Sequence, residues 1–181
     1  MEENKYQKGF TLVELLTTIF IIVVLSTIAF LTNRQNIKQY TLLRSANKLA
    51  QDIRTAQQMA MTTKTCPVGT PYCGGNIPKG YGIYLESGRI DYILYADIDG
   101  DEYYDSSDDV IIQIIPLESG VEIQSVNPSP LSINYKPPDP TTKISNGSIE
   151  LDEGIITLVL QSDPLKTKTV KVNKFGLIQV E

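Results

Sequence analysis

The stretch Lys8-Gly9-Phe10-Thr11-Leu12-Val13-Glu14-Leu15-Leu16, continued as TTIFIIVVLSTIAFL to Leu31, decides how the chain is to be read. From Leu15 to Leu31 no residue is charged, and Phe10 to Leu31 is 22 residues with Glu14 the one exception. At about 1.5 Å per residue, a helix of that length covers about 33 Å, against an apolar bilayer core of about 30 Å. It is long enough to cross a membrane. Ahead of it lies the polar leader MEENKYQKG, in which Glu2 and Glu3 offset Lys5 and Lys8; beyond it Asn33, Arg34 and Lys38 return to water. A secretory signal peptide would have an apolar region of about 7 to 15 residues, and Thr27-Ile28-Ala29 only weakly imitates its cleavage site. A plain anchor explains the length but not Glu14. A carboxylate near the centre of a spanning helix costs about 2.5 to 3.5 kcal/mol, and less near the end where Glu14 sits. Such a carboxylate calls for a cationic partner.

A cut after Gly9 would supply one. Phe10 would then carry a free α-amine, which titrates at about 7.7 to 8.0 in water and is largely protonated at neutral pH. Within one helix that amine and Glu14 lie four residues apart on one face. Between subunits, the carboxylate of one helix meeting the amine of the next would satisfy both charges in apolar surroundings and fix an axial stagger. That is a register for assembly and not a catalytic site.

Composition narrows the alternatives. The chain has 181 residues, enough for one domain with an appendage but not two enzyme domains. Sixteen basic against twenty-one acidic residues give a net charge of -5, the wrong sign for a duplex-binding surface. There is no histidine. The commonest general base, the usual metal ligand and every Ser-His or Cys-His nucleophile pair are therefore absent, and no catalytic residue is assigned.

K-GFTLVELL resembles the class III signal of type IV pilins and type II secretion pseudopilins. The resemblance implies that a membrane-embedded prepilin peptidase cuts between Gly9 and Phe10 and methylates the new Phe10 amine. It also implies that Glu14 directs docking to other pilin or pseudopilin subunits. Methylation retains the charge of the amine, and glycine before the cut allows a protease close backbone approach. The implied location is the cytoplasmic (inner) membrane, single-pass and with the head outside the cytoplasm, and then a pilus-like fibre built on an inner-membrane assembly platform.

The organisation follows as leader 1–9, transmembrane and assembly helix 10–31, amphipathic helix 32–62 and β-rich head 63–181. Leu42, Ala46, Leu49, Ile53, Ala56 and Ala60 recur at steps of four and three, an apolar stripe that belongs in the core. Short β-branched runs predict strands at Tyr81–Glu86, Ile90–Ala96, Val110–Ile115, Val121–Val126, Leu131–Tyr135, Ile149–Leu151, Ile155–Gln161, Thr169–Asn173 and Leu177–Val180. Glu86–Arg89, Asn146-Gly147 and Asn173–Gly176 read as turns, and Pro128, Pro130, Pro137, Pro138 and Pro140 mark an irregular connection. Asn146-Gly147-Ser148 also matches a glycosylation sequon, with the turn reading preferred. The expected fold is α+β and pilin-like, a long N-terminal helix packed on an antiparallel sheet.

Cys66 and Cys73 are the only cysteines, too few ligands for structural zinc without histidine. Because the resemblance places the head outside the cytoplasm, a disulfide closing their Pro/Gly-rich loop is expected, with free thiols as the alternative. The acidic run YADIDGDEYYD, followed by Asp108 and Asp109, holds six aspartates in thirteen residues. Asp97, Asp99, Asp101, Asp105 and Asp108 fall at positions 1, 3, 5, 9 and 12 of a calcium loop. Glu102 stands where such loops carry glycine, and position 12 is the shorter acid, so a solvated loop without metal stands equally. Loop aspartates in water have no means of raising a pKa for hydrolysis.

The methylation-type N-terminus, the amphipathic helix, the acidic loop after a strand and the closing VNKFGLIQV hairpin together resemble the GspH/FimT branch. That implies a non-enzymatic minor subunit of a type II secretion pseudopilus. The alternatives are a type IV pilus or competence pilin, and a membrane-anchored calcium-binding surface protein. Some relatives bind DNA through basic residues of the terminal hairpin; Gly176-Leu177-Ile178-Gln179 lacks an arginine, so nucleic acid is not expected as a partner.

Overall fold

The structure, a computed structural model, describes residues 9–68, 73–138 and 141–181, and for residues 29–37 the backbone alone. The leader as far as Lys8, the loop positions 69–72 and Pro140 lie outside the described residues. The chain divides into two units, residues 1–38 and 39–181.

One helix, α1 (Leu12–Met61), begins in the first unit and ends in the second. Its start is written in the sequence as Thr11-x-x-Glu14. Thr11 Oγ1 accepts from the Glu14 amide at 3.2 Å, and Thr11 O accepts the first helical bond from Leu15 N at 3.1 Å. Its end is a Schellman closure in which Lys64 N donates to Met59 O and Thr63 N to Ala60 O, both at 3.0 Å, with Thr63 at φ 47°. No helix among the described residues is long and apolar enough to cross a membrane. The described side chains of the apolar stretch stop at Ile28, short of the roughly 20 residues a span needs.

The second unit wraps two antiparallel sheets around residues 42 to 60 of α1. The strands are β1 (Gly80–Leu85), β2 (Asp91–Asp97), β3 (Val110–Pro116), β4 (Val121–Asn127), β5 (Leu131–Lys136), β6 (Thr141–Ser145), β7 (Glu153–Leu160), β8 (Asp163–Asn173) and β9 (Ile178–Val180). One sheet runs β3-β2-β1-β5-β6 and the other β4-β7-β8-β9. All six stripe residues from Leu42 to Ala60 are buried. They share one core with Ile83, Leu85, Ile133 and Ile144 of the first sheet and Ile123, Ile156, Leu158 and Val170 of the second. Polar contacts fix the helix on its bed: Tyr92 OH donates to Asp52 Oδ2 at 2.5 Å, Tyr81 OH to Lys64 O at 2.6 Å and Lys48 Nζ to Pro116 O at 3.2 Å. The fold is the expected α+β, pilin-like one.

Two strand expectations need correction. Ile149–Leu151 is not a strand: it follows the Asn146-Gly147 turn and returns to the sheet through a single bridge, Glu150 to Ser145. The edge strand is Thr141–Ser145 instead, missed because TTKIS carries only one large apolar residue, Ile144, which the core buries. The strand expected from Thr169 begins at Asp163, since its alternating Lys and Thr residues conceal a pairing with β7 that runs through a bulge. The three turns are as expected, with Gly88, Gly147 and Gly176 at φ 81°, 84° and 77°.

Candidate functional site

Two regions hold the residues singled out in the sequence. In the first, Gly9 and Phe10 precede α1 and Glu14 lies in its first turn, where a carboxylate complements the exposed amides and the helix dipole. Among the described residues nothing approaches within 4 Å of where a Gly9 side chain would begin. Around Glu14 the helix is apolar on every face and every face is exposed, with Leu12 at 81% and Phe20 at 67% accessible. Thr17, Thr18 and Thr27 bond back to main-chain oxygens at 2.8 to 2.9 Å, which hides their hydroxyls. Thr11 was legible as a cap from the T-x-x-E spacing, a signal the sequence reading passed over.

The second region is the loop from Asp97, the last residue of β2, to Asp109, just before β3. It folds over the face of the first sheet that points away from α1, and its tyrosines hold it there. The Tyr104 ring lies 4.9 Å from that of Tyr84 and 5.2 Å from that of Tyr95, while Tyr103 meets Tyr84 edge-on at 6.1 Å. Beneath it Asp97 is buried, accepting from Gly100 N at 2.6 Å, Glu102 N at 3.1 Å and the Asn134 side-chain amide at 3.0 Å. Asn134 reaches it across β1 because Gly80 has no side chain to block the way. Likewise Tyr95 crosses Gly82 to share a 2.6 Å hydrogen bond with Ser132.

Asp109 closes the loop, accepting from Ile98 N and Asp105 N, each at 3.0 Å. Carboxylate oxygens of Asp97, Asp99 and Asp109 lie within 4.8 Å of one another, close enough to share a divalent cation. Of the five residues expected to act together, the structure brings Asp97 and Asp99 into one cluster. Asp101, Asp105 and Asp108 turn to local partners, the Tyr103 amide, the Ser107 amide and the Ser107 hydroxyl. Asp109 was passed over because only loop closure brings it back to Asp97. Burial, reinforced by the neighbouring charges of Asp97 and Asp99, raises the Asp109 carboxyl to about 6. Burial also raises Asp97, against the pull of its two backbone donors. Glu102 does adopt the left-handed backbone expected of the glycine position, at φ 68°.

Cys66 and Cys73 form a disulfide, with both sulfurs buried in the core. Gly75 N and Cys66 O, and Cys66 N and Asn76 O, pair across the same loop.

Residues 4–30 match the prokaryotic N-terminal methylation motif, and residues 45–176 match the type II transport protein GspH. No curated protein and no solved structure matches the chain. The second match spans more than two thirds of the sequence and coincides with the helix-and-two-sheet unit, while the first covers the apolar helix start. A pilin-like subunit that carries the methylation motif, the chain belongs to the GspH family of type II transport proteins.

Proposed function

We propose that this chain is a minor pseudopilin of a type II secretion pseudopilus, a structural subunit without catalytic residues. Residues 10–31 insert in the cytoplasmic membrane with the head outside the cytoplasm. Prepilin peptidase cleaves between Gly9 and Phe10 and methylates the Phe10 amine. Glu14 of one subunit then pairs with the Phe10 amine of its neighbour as the inner-membrane platform assembles the fibre. The observation that carries this reading is a helix apolar all round and exposed all round, from Leu12 to Ile28, with one carboxylate at its start. Water does not tolerate such a helix; lipid or sister helices must cover it. The open space around Gly9 agrees, since no contact among the described residues calls for glycine there and an external enzyme does.

Two measurements test it. Intact mass of the purified protein is expected to show a methylated Phe10 terminus; a chain beginning at Met1 refutes the proposal. Glu14→Ala is expected to insert and be processed normally yet fail to enter fibres. Co-purification with pilus subunits in place of secretion subunits would move the chain to the type IV pilus or competence reading.

A second role, calcium binding, is favoured by the convergence of Asp97, Asp99 and Asp109. Millimolar calcium is expected to raise the melting temperature, and Asp109→Asn to abolish the rise. An unchanged melting temperature leaves the loop as a hydrogen-bonded cover of the sheet.

A further inference from the structure

The head, residues 39–181, presents a different cleft at each end of its part of α1. Residues 39–181 contain twelve Lys and Arg against eighteen Asp and Glu, a net charge of -6. Asp99 and Gly100 of the 97–109 loop lie at the far end of the helix. There Thr63, Lys79, Asp99, Gly100 and Lys136 line one cleft and Lys79 Nζ donates to Asp99 O at 2.6 Å. At the opposite end, about 33 Å along α1 from Met61, Gln39 and Leu42 share a cleft of about 240 Å³ with Leu165, Lys166, Thr167 and Lys168 of the β7–β8 hairpin. Strand β8 spans that distance. Its other turn reaches Gln57, whose side-chain amide lies 2.7 Å from where a Gly176 side chain would begin.

The near hairpin is unusual for an acidic head. Leu165 is 93% exposed at its tip. Among the described residues Lys166 pairs with Asp163 at 3.7 Å and Lys168 has no ion pair, while Glu122 of the adjoining β4 accepts from the Gln161 side chain at 3.0 Å. By contrast Lys171 and Lys174, toward the far turn, are neutralised by Glu181 at 2.7 Å and Asp152 at 2.8 Å. Gln39 follows Leu31 by eight residues, so it lies no more than about 29 Å from the end of the apolar stretch however the chain runs. Arg34 and Lys38 fall between them.

We propose that the β7–β8 hairpin is a membrane-docking foot: Leu165 enters the interface of an anionic bilayer while Lys166 and Lys168 meet lipid phosphates. The proposal rests on the reading of residues 10–31 as a membrane segment. An acidic body is repelled by an anionic surface unless it meets that surface through exposed lysines. Lys166 and Lys168 therefore set which part of the head faces the lipid.

The chain has no tryptophan, so Leu165→Trp places a single indole at the tip. The full-length variant is reconstituted into vesicles of phosphatidylcholine alone or mixed equally with phosphatidylglycerol. Flotation after a urea wash reads insertion, and indole emission with quenching by brominated lipid reads docking. The expected result is a blue shift and strong quenching only with phosphatidylglycerol. Both are lost in about 1 M salt, where the screening length falls to about 3 Å, and in a Lys166→Glu, Lys168→Glu background. Phe175→Trp, on the other turn of β8 and 83% exposed, is expected to stay unshifted. Equal emission from Leu165→Trp in both vesicle types, or an equal shift from Phe175→Trp, overturns the docking while floated protein leaves the span intact. Protein that does not float overturns both.

Discussion

Asp109 and Thr63 each hold a conformation that costs something, and each makes that cost measurable. Asp109 has its carboxyl raised to about 6, above an ordinary aspartate near 3.8, so the folded state binds its proton more tightly than the unfolded chain does. Stability then falls as pH rises from about 4 to about 6, because the carboxylate must ionise in a half-buried site beside Asp97 and Asp99. Asp97 is raised in the same direction and adds to the slope. Denaturant melts across this window are expected to show the decline, and Asp109→Asn to flatten part of it; an unchanged slope would assign the titration elsewhere. Thr63 closes α1 at φ 47°, a backbone that favours glycine over a β-branched residue. Thr63→Gly should therefore raise stability by about 1 kcal/mol, read as a higher melting temperature.

Among the elements, α1 and its stripe were the most legible, because steps of three and four at Leu42, Ala46, Leu49, Ile53, Ala56 and Ala60 leave no other period open. Leu49→Ala is expected to cost about 2 to 5 kcal/mol through the cavity it leaves. Leu43→Ala, on the side of the helix that is 40% exposed, should cost far less. Comparative urea melts separate the two, and equal losses would mean the stripe is misplaced. Strand β6 was illegible for the converse reason. Its buried positions are Thr142 and Ile144, and alternation with so little apolar contrast does not stand out from a loop. The 97–109 loop was legible in part. Asp97 and Asp99 follow a local spacing, but Asn134 arrives from β5, 37 residues away, and no local pattern announces it. Glycines at 80 and 82 were the available hint, since two side-chain-free positions on one strand leave room for whatever crosses it.

For the molecule as a whole, the Cys66–Cys73 bond ties the exit of α1 to the segment leading into β1. The chain-entropy model gives a loop of this length about 2 to 3 kcal/mol. Cys66→Ala with Cys73→Ala should lower stability by that amount while leaving the far-ultraviolet circular dichroism of the folded protein unchanged. Loss of folded signal at low temperature would show that the bridge is required for folding and does more than stiffen the connection. This pairing was expected because the resemblance to pilins places the head outside the cytoplasm, where the chain's only two cysteines can oxidise. The methylation motif was readable because it is contiguous, whereas the approach of the β7–β8 hairpin to Gln39 and Leu42 emerges only once β8 is laid beside the helix.

The stripe from Leu42 to Ala60 also constrains how such proteins can be recombined. Those side chains belong to the interior of the same unit as both sheets, so a head grafted onto a foreign shaft must bring about five turns of its own helix with it. The permissible seam for a chimera lies upstream of Gln39, and a splice at Met61, where the helix visibly ends, would yield a hollow shell.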